Sequence, residues 1–208
     1  MTSQGFTFFD TPIGPCGIAW GQHAITGIAL PQGDATGNRT RLLRRLPAAR
    51  EALPPPAVQK IIAAIVALLH GELIDLSWVA LDMDPIPAFD RRVYEIARTI
   101  PAGATRTYGQ IAEQLTLTLP RSRETQAWGQ GLAHEVGQAL GRNPFPIIVP
   151  CHRVLAAGGK AGGFSARGGI ATKLRLLSIE RARTSDAPTL FDTGPALAFA
   201  LKPRARRS

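Results

Sequence analysis

The sequence predicts an α/β N-terminal domain followed by a mostly α-helical domain built around a helix-turn-helix. Residues 6–31 alternate short apolar runs with glycine and proline breaks, while 57–70 carry apolar residues at helical spacing. After Pro85 and Pro87 the pattern turns largely helical. The net charge of +9 also divides unevenly: residues 1–100 balance nine Lys/Arg against nine Asp/Glu, whereas 101–208 carry fifteen against six. A neutral half joined to a basic half is the electrostatic pattern of a nucleic-acid-binding module behind an uncharged partner domain. The alternative is a basic tail plus solvated helix faces, and LKPRARRS does supply four of the charges.

Taken in order, residues 6–31 read as short strands separated by the turn TPIGPCG and the break GQHA. Asp34–Arg39 reads as a polar loop and Arg39–Arg50 as a basic, helix-compatible stretch. Pro54–Pro56 stops whatever precedes it. Val58, Ile61, Ile62, Ile65, Val66, Leu68 and Leu69 then line a helix over 57–70, with Gly71 as its cap. Residues 72–84 are expected to return as a strand, and Pro85 and Pro87 mark a linker, so the first domain spans 1–85.

Beyond it, Phe89, Val93, Ile96, Ala97 and Ile100 fall on one face of a helix over 88–99, broken by Pro101-Ala-Gly103. A short helix over 108–115 follows, with Thr107 placed to cap it. A polar connection, Thr116–Gln126, leads to a helix over 127–141 with Trp128, Leu132, Val136, Ala139 and Leu140 inward. That connection exceeds the usual three or four residues of a helix-turn-helix. An apolar run Ile147–Val149, a glycine-rich segment Gly158–Gly169 and a last helix over 170–183 complete the second domain, placed at 86–181. Residues 182–208 are expected to be a basic, largely disordered tail.

Composition excludes several classes. No apolar run approaches the ~18 residues of a membrane span, and MTSQGFTFFDTPIGPCG has neither the basic nor the apolar region of a secretory signal. Two cysteines, Cys16 and Cys151, make no disulfide framework, which fits a cytoplasmic protein with free thiols. Neither Cys151 nor His152 has metal-ligand spacing to Cys16, His23, His70 or His134, so no metal and no cofactor is expected.

The sharpest local feature is Pro146-Ile-Ile-Val-Pro-Cys-His-Arg-Val154. A free thiol is mostly protonated at neutral pH, and an adjacent imidazole and guanidinium would favour the thiolate, the nucleophilic form. By itself Cys-His-Arg is weak: a lone cysteine after an apolar run is more often a buried small hydrophobe.

Five segments in order change that reading. Phe89-Asp-Arg-Arg-Val-Tyr94, Ile100-Pro-Ala-Gly103 through Thr107-Tyr-Gly-Gln-Ile-Ala112, Val136-Gly137 with Gly141-Arg-Asn-Pro144, the Pro-Cys-His-Arg-Val element, and Gly162-Gly-Phe-Ser165 followed by Lys173, Leu176-Leu177 and Glu180 resemble the O6-alkylguanine-DNA alkyltransferases. Asp10-Thr-Pro-Ile-Gly-Pro15 is loosely similar to that family's N-terminal domain.

The resemblance implies a ribonuclease-H-like α/β domain followed by a winged helix-turn-helix. It implies a monomer that binds double-stranded DNA containing alkylated guanine through the minor groove, in the cytoplasm and on the nucleoid. The damaged guanine is rotated into a pocket, Cys151 displaces it from the alkyl carbon, and the protein is consumed. O4-alkylthymine is a further lesion of the same kind. His152 would take the thiol proton through a water, with Glu180 steadying the imidazolium and Asn143 bracing the turn under Cys151. Tyr108 and Thr107 would meet the phosphate backbone, and Val136 and Gly137 the groove. Val154, Phe164, Ser165 and Lys173 would form the base pocket, although Lys173 reads equally as a solvated helix lysine.

Four departures stand out. His134 occupies the position where the family carries the arginine that fills the vacated stack. The connection before that helix is longer than in typical members and contributes Arg121 and Arg123, either of which could serve instead. Phe164 replaces a common tyrosine, and Ser165–Gly169 carries two extra residues. Three other readings stay open: a non-catalytic alkyltransferase-like lesion binder, a helix-turn-helix regulator with Cys151 as sensor, and a cysteine hydrolase. The presence of Cys151 argues against the first and the small Val136-Gly137 face against the second. An acyl-transfer site would also need an oxyanion hole, for which no motif is visible.

Overall fold

The computed structural model describes residues 5–31, 35–118, 131–163 and 169–182. Strands β1 (Gly5–Phe9), β2 (Cys16–Trp20) and β3 (Ile25–Ala29) form the expected N-terminal meander. Helix α1 (Ala35–Arg45) follows, and the short β4 (Arg50–Glu51) pairs parallel to β1, giving the order β3-β2-β1-β4. β2 is buried throughout. Cys16, Ile18 and Trp20 face the main core, while Ala19 turns to a small cluster with Phe6, Ala29, Leu42 and Ala49 beneath α1. At Gly5 the sheet is tight, since a Cβ there would lie 2.6 Å from the Trp20 ring.

Helix α2 (Pro56–Leu69) starts with a proline at its first position, where no N–H is needed, and buries Val58, Ile61, Ile65, Leu68 and Leu69. Gly71, at φ +94°, takes the left-handed position that ends it. Helices α3 (Ala88–Arg98), α4 (Tyr108–Thr118), α5 (Leu132–Gly141) and α6 (Gly169–Ile179) make up the second half. A two-stranded parallel pair, β5 (Arg106–Thr107) with β6 (Val154–Leu155), joins the start of α4 to the chain after Cys151. The main core runs through both halves, from Ile18 and Ile65 to Val93, Ile111, Val136 and Leu176.

Several expectations need correction. The helix after β3 begins at Ala35, so 35–39 is not a loop. Residues 72–84 do not return as a strand: only an isolated bridge joins Leu81 to Ile25. The carbonyls of Leu76, Ser77 and Val79 instead turn toward one guanidinium nitrogen, Arg98 Nη2, at 3.4, 2.6 and 2.8 Å. Residues oriented to serve one donor cannot also form a ladder. Ile147–Val149 likewise winds into a turn. The expected starts of the 127–141 helix and the tail lie outside the described residues.

Candidate active site

Cys151 opens a short 3-10 turn, Cys151–Arg153, directly after Pro150. The loop before it is wound around Asn143. Its Oδ1 accepts the Phe145 backbone N–H at 2.9 Å and its Nδ2 donates to the Val149 carbonyl, also at 2.9 Å. The same side chain hydrogen-bonds the Cys151 thiol. From the N-terminal sheet, the Ile28 N–H donates to the Pro144 carbonyl at 2.9 Å. Held at both ends, the loop forces Ile147 to φ 77°. A β-branched residue there costs roughly 1–3 kcal/mol and persists only where its surroundings over-determine it.

Behind Cys151 lies a buried polar cluster. His152 Nε2 meets Glu180 Oε1 at 2.9 Å, and both side chains are essentially excluded from solvent. Arg153 grips the same carboxylate twice, Nε on Oε2 and Nη2 on Oε1, each at 2.8 Å, and its Nη1 donates to the Ile100 carbonyl at 2.6 Å. These donors hold Glu180 at a pKa of about 2 against the upward push of burial. Burial pushes His152 down, so its resting form is neutral. With Nε2 facing a carboxylate, the proton of neutral His152 belongs on Nε2, which leaves a lone pair on Nδ1. Nδ1 is buried and has no hydrogen-bond partner among the described residues.

Burial raises the Cys151 thiol pKa, opposed by the Asn143 hydrogen bond and by Lys173. This corrects the expectation that neighbouring cations keep it ionised: the Arg153 guanidinium is committed to Glu180 and Ile100. The thiol therefore needs a base at the moment of attack. Lys173 is fully buried, not a solvated lysine. Its Nζ donates to the Val154 carbonyl at 2.6 Å and sits 5.6 Å from the centre of the Tyr108 ring. Burial lowers its pKa to about 8.

In front of Cys151 opens a cleft of about 870 Å³ whose walls include Thr107, Tyr108, His134, Gly137 and Gln138. Thr107 and Gln110 form a reciprocal cap at the start of α4: Gln110 N–H donates to Thr107 Oγ1 (3.1 Å) and Thr107 N–H to Gln110 Oε1 (2.7 Å). The Tyr108 ring lies over Gly137 and Gly162, with its hydroxyl 3.4 Å from the Gly163 carbonyl. His134 is exposed on α5 and pairs with Gln138 at 3.0 Å.

Of the residues expected here, Cys151, Thr107, Tyr108, His134 and Gly137 share the cleft, and Asn143, His152, Glu180 and Lys173 lie behind or beneath it. Val136 is corrected: its side chain is completely buried between helices and cannot face DNA. The Val154 side chain is likewise core, and only its carbonyl bears on the site. Arg121, Arg123, Phe164 and Ser165 lie outside the described residues. The sequence reading missed the Arg153–Glu180 pair and the Arg142–Asp90 pair, whose bidentate bonds of 2.9 and 2.8 Å tie α5 to α3. Charged residues within Asp90-Arg-Arg and Arg142-Asn would have been the only signal.

Residues 88–182 match the family model of the 6-O-methylguanine DNA methyltransferase DNA-binding domain. The methylated-DNA–protein-cysteine methyltransferase of Methanothermobacter thermautotrophicus is 31% identical over 169 residues, covering 81% of each chain. That of Mycobacterium tuberculosis is 35% identical over 183 residues, covering 88% of this chain and 96% of its own. The crystal structure of Mycobacterium tuberculosis OGT in complex with DNA superposes with a TM-score of 0.64 at 34% identity, covering 85% of this chain and 92% of that one. The mixed sheet with packed helices is thus shared with a solved fold. On these matches over most of the chain, together with the cysteine loop they contain, the protein belongs to the methylated-DNA–protein-cysteine methyltransferase family.

Proposed function

We propose that the protein repairs DNA by moving the alkyl group of O6-alkylguanine, and of O4-alkylthymine, irreversibly onto Cys151 after the base is flipped out of the duplex. The observation that carries this reading is Cys151 at the base of an open cleft with a neutral, carboxylate-anchored histidine behind it. His152 Nδ1 takes the thiol proton through a water, and the sulfur attacks the alkyl carbon. The S–C bond forms as the C–O6 bond breaks, and the departing guanine keeps that electron pair and takes up one proton. A thioether has no comparable leaving group, so each molecule acts once.

In this reading 1–85 is a ribonuclease-H-like domain and 86–181 a winged helix-turn-helix that enters the minor groove as a monomer. Helix α5 presents Gly137 to the groove and His134 to the vacated stack, with Thr107 and Tyr108 at the phosphates. Two free, buried cysteines fit a reducing compartment such as the cytoplasm. Incubation with a duplex carrying O6-methylguanine should add one methyl group, about 14 Da, to the intact protein, mapping to Cys151. Cys151→Ala should bind DNA and take up nothing. Methylation mapping to Cys16 would overturn the reading.

A further inference from the structure

We infer that Arg153 is a positioning residue for the transfer: by clamping both oxygens of Glu180 it fixes which nitrogen of His152 carries the proton and keeps the imidazole free to accept another. This rests on the reading of Cys151 as the alkyl acceptor and deepens it. The geometry is specific. Glu180 follows the last turn of α6, Arg153 ends the 3-10 turn that begins with Cys151, and the third Arg153 bond reaches the Ile100 carbonyl just beyond α3. Three separate segments are joined through one guanidinium, and the Arg153 side chain is only 7% exposed. A planar fork with several donors can do this; a lysine ammonium cannot occupy both oxygens and a carbonyl in the same way.

The consequence for His152 follows from charge. The charged groups acting on it are Glu180 and Lys173 from α6 and its end, and Arg153 beside it, with Asp75 further out opposite Arg153. With Arg153 present, the Glu180 charge is already balanced, and an additional proton on buried His152 is disfavoured in the resting protein. With Arg153 removed, Glu180 has His152 as its remaining ionic partner, and the pair is stabilised by protonating the imidazole. A histidine that already holds two protons cannot receive one from the thiol. Losing Arg153 should therefore act on the reaction through protonation, and raising the pH should reverse the loss.

The test is the pH dependence of single-turnover methyl transfer from an O6-methylguanine duplex in wild type, Arg153→Lys and Arg153→Met. The acid limb should move up by about one pH unit in Arg153→Met, giving a loss of about tenfold near neutrality that disappears at higher pH. Arg153→Lys should fall between the two. A loss equal at every pH, tracking only a lower melting temperature, would make Arg153 merely structural and overturn the inference. A second measurement needs no variant: nitrogen NMR of the wild-type protein should show His152 neutral and protonated at Nε2. The Nδ1–H tautomer, or a doubly protonated ring at neutral pH, would overturn it independently. Wild-type protein that takes up no methyl group would instead refute the assignment of Cys151, leaving the NMR result to decide the inference.

Discussion

Asn143 holds Val149 across the loop that presents the reactive thiol: its amide nitrogen lies 2.9 Å from the Val149 carbonyl while its oxygen accepts the Phe145 N–H. Both ends of one side chain are used, and the loop they close contains Ile147 in a left-handed conformation. Asn143→Ala should cost about 2–4 kcal/mol, the loss of two backbone partners in a partly buried turn. It should slow methyl transfer by about a hundredfold or more, because the thiol loses both its position and a hydrogen bond. Denaturant unfolding and single-turnover kinetics on the same preparation check both parts.

Stability should fall as the pH is lowered from about 6.5. His152 is held below its ordinary pKa, so the unfolded chain binds its proton first, and folding loses free energy from the unfolded imidazole value downward. Glu180, held at about 2, contributes stability that is complete above its unfolded value of 4.5 and is lost as the pH falls through the interval between them. Melting curves across this range should show the decline, and Glu180→Gln should remove its lower part. A melting temperature unchanged between pH 6.5 and 3 would refute it.

The Arg142–Asp90 pair predicts an asymmetry. Asp90 is nearly buried at 4% side-chain exposure, whereas Arg142 is 56% exposed. Arg142→Ala leaves a buried carboxylate without its fork and should destabilise by about 2–3 kcal/mol. Adding Asp90→Asn should recover much of the loss, which a double-mutant cycle by chemical denaturation measures. Since its guanidinium is engaged with Asp90, Arg142 should contribute little to the salt dependence of DNA binding.

Gly137 separates fold from function. A Cβ at this position would sit 3.8 Å from the Tyr108 ring, an ordinary contact. Gly137→Ala should therefore leave the fold intact or stabilise it by up to ~1 kcal/mol through helix propensity. If α5 enters the groove as proposed, it should nevertheless weaken binding to duplex DNA, because the added methyl group holds the helix backbone away. Unaltered affinity would remove Gly137 from the interface.

His134 tests how the gap left by a flipped base is filled. His134→Gly should slow transfer on duplex DNA far more than on a single strand, where little stacking is broken. If Arg121 or Arg123 fills the gap, alanine there should give the duplex-selective loss and His134→Gly should be nearly silent. The ratio of duplex to single-strand rates distinguishes them.

Local chemistry made part of this molecule legible from sequence. The α2 stripe, the Gly71 that ends it, the Thr107 cap and the Cys151 motif each follow from neighbours a few residues apart. The rest depends on distant partners. Nothing near residues 76–79 announces that Arg98 will collect their carbonyls, so an apolar stretch read as a strand became a turn. Val136 was read both as core and as groove-facing, and only the packing of α5 against its neighbours settles that it is core. Lys173 and Arg153 look like surface cations until α6 brings one beneath Tyr108 and places Glu180 against the other.

The other thiol has a practical consequence. Cys16 lies in the fully buried β2, at 0% exposure, with its pKa pushed up to about 11 by burial. Cys151 lines the cleft and Cys16 does not, so a mild electrophile should mark Cys151 first. A thiol titration before and after exposure to damaged DNA would then count molecules still competent to act, turning each chain into a dosimeter that records a single lesion.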